Sequence, residues 1–216
     1  MGYKDPSMKN KGIVFILSAP SGTGKTTACK LLRKKLPELK FSISHTTRSI
    51  REGEVEGVDY HFIPQKEFQE KIERGDFLEW AKVHSQYYGT AFETVDRHRQ
   101  NGDDLLLELD VQGAQTLREA NYEGTFIFLL PPSIKELEIR LQKRSTEPEE
   151  VIKARIEVSK NEVKKFNLYD YILTNSDLEE TAEILLSIIR AERCRKSRYL
   201  PPSSDIRSLL NSKVNS

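Results

Sequence analysis

A chain of 216 residues, 37% apolar and 31% charged, can bury one substantial core with small insertions and is too rich in core formers to be a disordered chain. A formal net charge of +1 gives no overall pull toward nucleic acid or an anionic membrane, so any anion binding must come from local clusters. The longest apolar runs, residues 13–17 and 126–130, fall far short of the roughly 20 residues of a membrane span, and Cys29 and Cys194 belong to no metal or redox motif.

Residues 1–10 are polar, lack the apolar centre of a signal peptide and contain a second methionine, Met8, so they read as an extension outside the fold. With the two cysteines, this sets the expectation of a cytoplasmic protein.

Residues 13–17 form a β-branched and aromatic run expected to be a strand buried on both faces. A glycine-rich turn follows, then leucines spaced for a helix over 28–36 that stops at Pro37. A second strand is expected at 41–45, and the charged, glycine-containing stretch 48–58 reads as an exposed functional loop. Strands at 59–63 and 77–83 flank a short helix at 66–74, which makes a small α+β insertion. Further apolar strands at 104–110, 125–130 and 171–174 are separated by helical patterns at 113–120 and 134–144. Strands alternating with helices predict a parallel sheet covered on both faces. The charged stretch 147–166 reads as an exposed helical hairpin or lid, 178–198 as a long helix, and 199–216 as a polar tail.

The turn after the first strand, Ala19-Pro-Ser-Gly-Thr-Gly-Lys-Thr26, fits the phosphate-loop pattern GxxxxGK[ST] except at Ala19. In this arrangement backbone N–H groups surround phosphate oxygens, the helix N-terminus adds its positive end, Lys25 neutralises charge and the Thr26 hydroxyl reaches a magnesium ion. Ser21, Gly22, Thr23, Gly24, Lys25, Thr26 and Thr27 are therefore the expected phosphate-binding set. Alanine can replace the first glycine where its backbone angles are ordinary. The loop says nucleotide phosphate without saying which reaction, so a GTPase, an ATPase and a small-molecule kinase all remain open.

Arg48, Arg51, Glu52, Glu54, Asp59 and Tyr60 lie on one glycine-containing loop, a density that suits an anionic ligand, since guanidinium groups bind phosphate with paired donors. Read alone, the same arginines are better explained as a solvated surface balanced by Glu52, Glu54 and Glu56. The four histidines, His45, His61, His84 and His98, lack metal-ligand spacing.

Nine short words stand out along the chain: Ser18-Ala-Pro-Ser-Gly-Thr-Gly-Lys25, Ser42-Ile-Ser-His-Thr-Thr-Arg48, Arg51-Glu-Gly-Glu54, Asp59-Tyr-His-Phe62, Phe77-Leu-Glu79, Tyr87-Tyr-Gly-Thr90, Leu109-Asp-Val-Gln-Gly113, Leu130-Pro-Pro-Ser133 and Ile189-Arg-Ala-Glu-Arg193. In these words the chain resembles the guanylate kinase family. They occur in family order from residue 13 to about residue 198.

The resemblance implies an α/β fold of the P-loop nucleoside monophosphate kinase type. Its parts would be a doubly wound parallel sheet (11–38, 92–132 and 167–198), a GMP-binding α+β subdomain (39–91) and a helical lid (133–166). It implies ATP and GMP as ligands, Mg2+ as cofactor, no nucleic-acid or membrane partner, and either a monomer or a homodimer.

By matched position, Arg48, Arg51, Tyr60 and Tyr88 would hold the GMP phosphate, with Glu54 on the same loop. Ser44, Glu79, Thr90 and Glu108 would contact guanine, Glu108 standing where the family usually has aspartate. Carboxylates suit guanine on chemical grounds as well, because N1–H and the exocyclic amine are adjacent donors. Lys25, Arg140, Arg144 and Arg155 would embrace the transferring phosphoryl, although Lys143-Arg-Ser145 replaces the family's Gly-Arg-Gly. Asp110, with Thr26, would organise Mg2+, partly through water. Asn175 and Asp177 would line the adenine side.

Overall fold

A computed structural model describes residues 11–83, 85–144, 149–199, 201 and 203–211. The expected extension at 1–10, His84 and the junction 145–148 lie outside the described residues.

The first strand, β1 (Val14–Ser18), is buried along its whole length. It is flanked by β7 (Leu105–Leu109) and β8 (Thr125–Leu130), which are almost as completely buried. With β2 (Lys40–Phe41) and β9 (Tyr171–Thr174) these make a five-stranded sheet in the order β2-β7-β1-β8-β9, all neighbours parallel. Continuous apolar strands are what such a sheet needs, because helices cover both its faces.

Alternate residues of β1 point to opposite cores. Phe15 and Leu17 pack with Ala28, Cys29 and Leu32 of α1 (Lys25–Lys35) and with Leu185, Leu186, Ile188 and Ile189 of α7 (Leu178–Arg193). Val14 and Ile16 pack on the other side with Val95 of α3 (Phe92–Asn101) and with Val111, Ala114 and Leu117 of α4 (Val111–Glu119). This doubly wound arrangement is the one predicted from the alternation of elements.

A second sheet has the order β4-β3-β6-β5 and mixes parallel and antiparallel neighbours. Its strands are β3 (His45–Thr46), β4 (His61–Phe62), β5 (Phe77–Val83) and β6 (Gln86–Ala91). Phe68 of α2 (Gln65–Glu73) is fully buried beneath it, stacked on Phe77 with ring centroids 4.5 Å apart. The single strand expected at 41–45 is thus two strands in two sheets, and residues 42–44 carry the chain between them. Strand β6 and helix α3 were not expected.

Helix α5 (Ile134–Arg144) packs on α6 (Glu149–Val163) through Leu137, Leu141, Ile152 and Ile156. The hairpin expected within 147–166 is therefore one helix paired with α5, followed by a 3-10 turn, Phe166–Leu168. The expected polar tail contains an eight-residue helix, α8 (Ser204–Asn211).

Candidate active site

The loop between β1 and α1 turns on two glycines in the left-handed region, Gly22 at φ 86° and Gly24 at φ 100°. Side chains rarely adopt that conformation, so these two positions require glycine. Asn121 alone among the described non-glycine residues has positive φ, so Ala19 sits in ordinary backbone and the departure from the motif costs nothing. Gly24 precedes Lys25 at the start of α1, and no acidic residue occupies that first turn. The helix N-terminus is left with unopposed positive character and exposed Thr26 and Thr27 beside it.

Two other elements hold the loop in shape. Asn175 is buried and donates through Nδ2 to Thr23 O at 2.7 Å while accepting from Thr181 Oγ1 at 2.9 Å. Asp177 caps α7 by accepting from Glu180 N at 2.8 Å. The pair assigned to the adenine side thus makes contacts within the fold, with Asn175 directed at the phosphate loop. Lys25 donates to Leu109 O, and the Thr23 hydroxyl is buried without a partner.

The α5–α6 hairpin leans on the same loop. A Cβ at Gly22 would lie 3.0 Å from Leu141 Cδ2, so the apolar face of α5 touches the phosphate loop. Arg140 donates to Thr23 O at 3.2 Å and to Glu136 Oε1 at 2.9 Å, and Arg155 Nη2 donates to Ser21 Oγ at 3.0 Å. Arg144 closes α5, and its side chain lies outside the described residues.

Across from the loop, a cavity of about 190 Å³ is lined by Lys25, Glu108 and Asp110 from the parallel sheet and its phosphate loop and by Ser44, Tyr60, Glu79 and Tyr88 from the insertion. Residues spread over 86 positions of sequence thereby meet the phosphate loop at one opening. A larger cleft of about 490 Å³ between α4 and α6 lies beside the hairpin, away from the second sheet.

Glu79 is 6% exposed, and burial, reinforced by the charge of Asp110, pushes its carboxyl up to about 7. A one-residue bulge at Leu78 precedes it, and Thr90 stands directly opposite in β6, its buried side chain and its backbone drawing the Glu79 carboxyl down against the effect of burial. Burial also raises the Glu108 carboxyl, against the opposing charge of Lys25. The Tyr60 phenol is raised to about 12 by burial and by Glu108, so it stays protonated and able to donate.

Arg48 and Glu54 form a two-bond ion pair, and the Arg48 guanidinium holds the Glu54 carboxyl below its usual range. Glu54 Oε2 also accepts from Arg51 N at 2.8 Å. The Arg48 guanidinium lies 5.3 Å from the Tyr60 ring centre, and Tyr60 meets Tyr88 edge to face at 6.0 Å. Arg51 itself is exposed.

Asp110 caps α4 by accepting from Gly113 N at 2.7 Å, and its own carbonyl accepts from Ser18 Oγ at 3.2 Å. Among the described residues no group of three His, Cys, Asp or Glu is arranged to hold a metal ion. Magnesium commonly takes one or two carboxylates, substrate phosphates and water, so the sparse donor set of Asp110 and Thr26 fits an ion that arrives with a nucleotide.

Two contributors are invisible to the sequence reading. Glu162 of α6 has a buried Oε2 without a partner, and burial, followed by the charge of Asp110, pushes it up to about 7. Tyr169 stacks on Phe128 and is raised to about 12 by burial, against the lowering effect of Ser18 beside its hydroxyl. Glu162 falls in a charged run where no spacing separates it from solvated neighbours.

Residues 11–192 match the family model described as guanylate kinase. The chain is 46% identical to the guanylate kinase of Geobacter metallireducens over 193 residues, 89% of this chain and 95% of that one. It is 45% identical to that of Geobacter sulfurreducens over 94% of this chain and all of the relative. Its structure is similar to the crystal structure of guanylate kinase from Anaplasma phagocytophilum, with TM-score 0.76 and 32% identity over 95% of this chain and 96% of that one.

Proposed function

The chain belongs to the guanylate kinase family, and on that premise we propose that it transfers the γ-phosphate of ATP to GMP, giving ADP and GDP, with Mg2+ accompanying the ATP. The observation that carries this reading is the cavity that brings Lys25, Glu108 and Asp110 together with Ser44, Tyr60, Glu79 and Tyr88.

In the proposed reaction a phosphate oxygen of GMP attacks the γ-phosphorus, a new P–O bond forms, and the bond to the β-phosphate oxygen breaks to release ADP. Little covalent work falls to the protein; alignment, charge neutralisation and exclusion of water carry the rate. The phosphate loop and Lys25 hold the ATP phosphates. Arg48, Arg51, Tyr60 and Tyr88 hold the acceptor phosphate, and Glu54 fixes Arg48 for that task. Glu79 and Glu108, with Ser44 and Thr90, read guanine, because a carboxylate satisfies its two adjacent donors and would face an acceptor on adenine.

Arg140, Arg144 and Arg155 would stabilise the charge of the transferring group as the α5–α6 hairpin closes. The contacts of Arg140 and Arg155 with the loop backbone and Ser21 support that role. Thr26 and Asp110 would hold the magnesium ion, whose chemistry is to offset the phosphate charge when MgATP is bound. Cys29 buried and Cys194 exposed, both free thiols, support a reducing compartment such as the cytoplasm.

The test is ADP formation with MgATP and GMP, AMP, CMP, UMP or no acceptor. Formation that requires GMP supports the reading. ADP made equally without acceptor would mark an ATPase, and no ADP from folded protein would mark a binding module.

A further inference from the structure

Gly113 lies in the first turn of α4, yet it is absent from the glycines with positive φ, so its backbone does not call for glycine. Alanine is the better helix former at such a position. The reason for glycine lies across the interface with β5. A Cβ there would overlap Glu79 Oε2, approach Glu79 Cδ to 3.1 Å and lie 3.6 Å from Asp110 Oδ1. The same residue's N–H donates to Asp110 Oδ1 at 2.7 Å.

We propose that Gly113 is a specificity-determining positioning residue: its missing side chain leaves the seat in which the Glu79 carboxylate is held for guanine, while its N–H fixes Asp110 on the phosphate side. This deepens the guanine reading of Glu79 and rests on it. One backbone position thereby sets the spacing between base recognition and the phosphate-side carboxylate.

The geometry also says how alanine would act. The Glu79 backbone is fixed in the β5–β6 ladder opposite Thr90, so it cannot retreat. The overlap falls on the far end of the Glu79 side chain, which can swing away while the fold survives. Guanine offers two parallel donors, and a displaced carboxylate meets only one of them well. Acceptor recognition then fails selectively, with ATP binding and folding preserved.

The experiment is steady-state kinetics on wild type, Gly113→Ala, Glu79→Ala, Glu79→Asp and Gly113→Ala/Glu79→Asp, with thermal midpoints for each. Gly113→Ala is expected to raise KM for GMP about ten- to a hundredfold, the loss that goes with one hydrogen bond to a charged group. KM for ATP should stay within about twofold. The preference for GMP over inosine monophosphate, which lacks the exocyclic amine, should narrow.

In the Glu79→Asp background the shorter arm leaves room for the methyl group, so adding Gly113→Ala should change KM for GMP by less than about threefold. Its thermal midpoint should equal or exceed that of wild type. An equal effect in both backgrounds, equal rises in the two KM values, or early melting would overturn the proposal. If Glu79→Ala raises KM for GMP and Gly113→Ala does not, the proposal alone falls. If Glu79→Ala leaves it unchanged, the guanine reading falls and takes the proposal with it.

Discussion

Arg48 and Glu54 meet side by side, Nη1 donating to Oε2 at 2.9 Å and Nη2 to Oε1 at 2.8 Å, with both side chains largely shielded from solvent. The same Glu54 carboxylate accepts from Arg51 N, so one acid shapes the turn and aims the guanidinium. An aimed guanidinium loses less freedom when it binds phosphate.

Removing the guanidinium and removing its support should therefore differ in degree. Arg48→Ala is expected to raise KM for GMP by about a hundredfold, the worth of paired charge-assisted bonds to phosphate. Glu54→Ala should raise it by about tenfold, because the charge remains and only its alignment is lost. Initial rates at saturating ATP measure both, and equal effects would make Glu54 a direct ligand.

Glu79 gives the site a pH signature. Its carboxyl, at about 7, lies above the usual value, so between the two values the folded protein binds more protons than the unfolded chain and stability falls as pH rises. Glu79→Gln removes that penalty and should stabilise the protein by on the order of 3 kcal/mol at pH 8 and by little at pH 4. It should also weaken GMP binding, because the amide presents one acceptor where guanine needs two. Wild-type KM for GMP should rise as pH falls below 7. GMP's own phosphate titrates near about 6, so the difference between wild type and Glu79→Gln isolates the residue's contribution.

Arg140 and Arg155 already touch the rim of the phosphate loop, while Glu79 and Tyr88 stand on strands of the second sheet. Alanine at either should lower kcat by about a hundredfold or more and move KM for GMP by less than about threefold. Single-turnover rates with bound MgATP provide the check. A large change in KM with kcat intact would assign these arginines to acceptor binding.

Legibility in the sequence followed physical distinctness. The strand β1 and the loop after it stood out because a fully buried parallel strand is continuously apolar and a phosphate loop restricts residue type at several positions. Strand β6 did not, since Tyr87, Tyr88 and Gly89 alternate too weakly and their pairing with β5 is a tertiary fact. Helix α3 buries Val95 alone, which leaves little apolar periodicity to detect. The split of residues 40–46 between two sheets depends on where the chain crosses, and no local pattern encodes it. Gly113 ends one of the matching words, but its role depends on Glu79 lying against it, which no local pattern encodes.

Glu192 supplies a prediction about stability away from the site. It is 2% exposed at the end of α7 and accepts from Tyr171 Oη at 2.8 Å, Thr125 Oγ1 at 3.3 Å, Arg195 Nε at 3.1 Å and Arg198 Nη1. Thr125 and Tyr171 open β8 and β9, so this knot ties the last core helix to the end of the sheet opposite the phosphate loop. Burial alone would raise the Glu192 carboxyl, but the bonds from Arg195 and Tyr171 outweigh it and hold the group below its usual range. Its contribution is thus complete above the ordinary carboxylate range and disappears as pH falls through the lowered value. Glu192→Ala should cost about 2 kcal/mol, because the two arginines can turn to solvent while Tyr171 and Thr125 lose their acceptor. For a chain of this size that lowers the thermal midpoint by about 4 to 8 °C at pH 7, and the difference from wild type should shrink in strong acid. Since the bonds that Glu192 accepts all come from Thr125, Tyr171, Arg195 and Arg198, away from the phosphate loop, kcat and both KM values should be unchanged well below the melting temperature. Lost activity with an unaltered midpoint would instead tie α7 to the phosphate loop, most directly through Thr181 and Asn175.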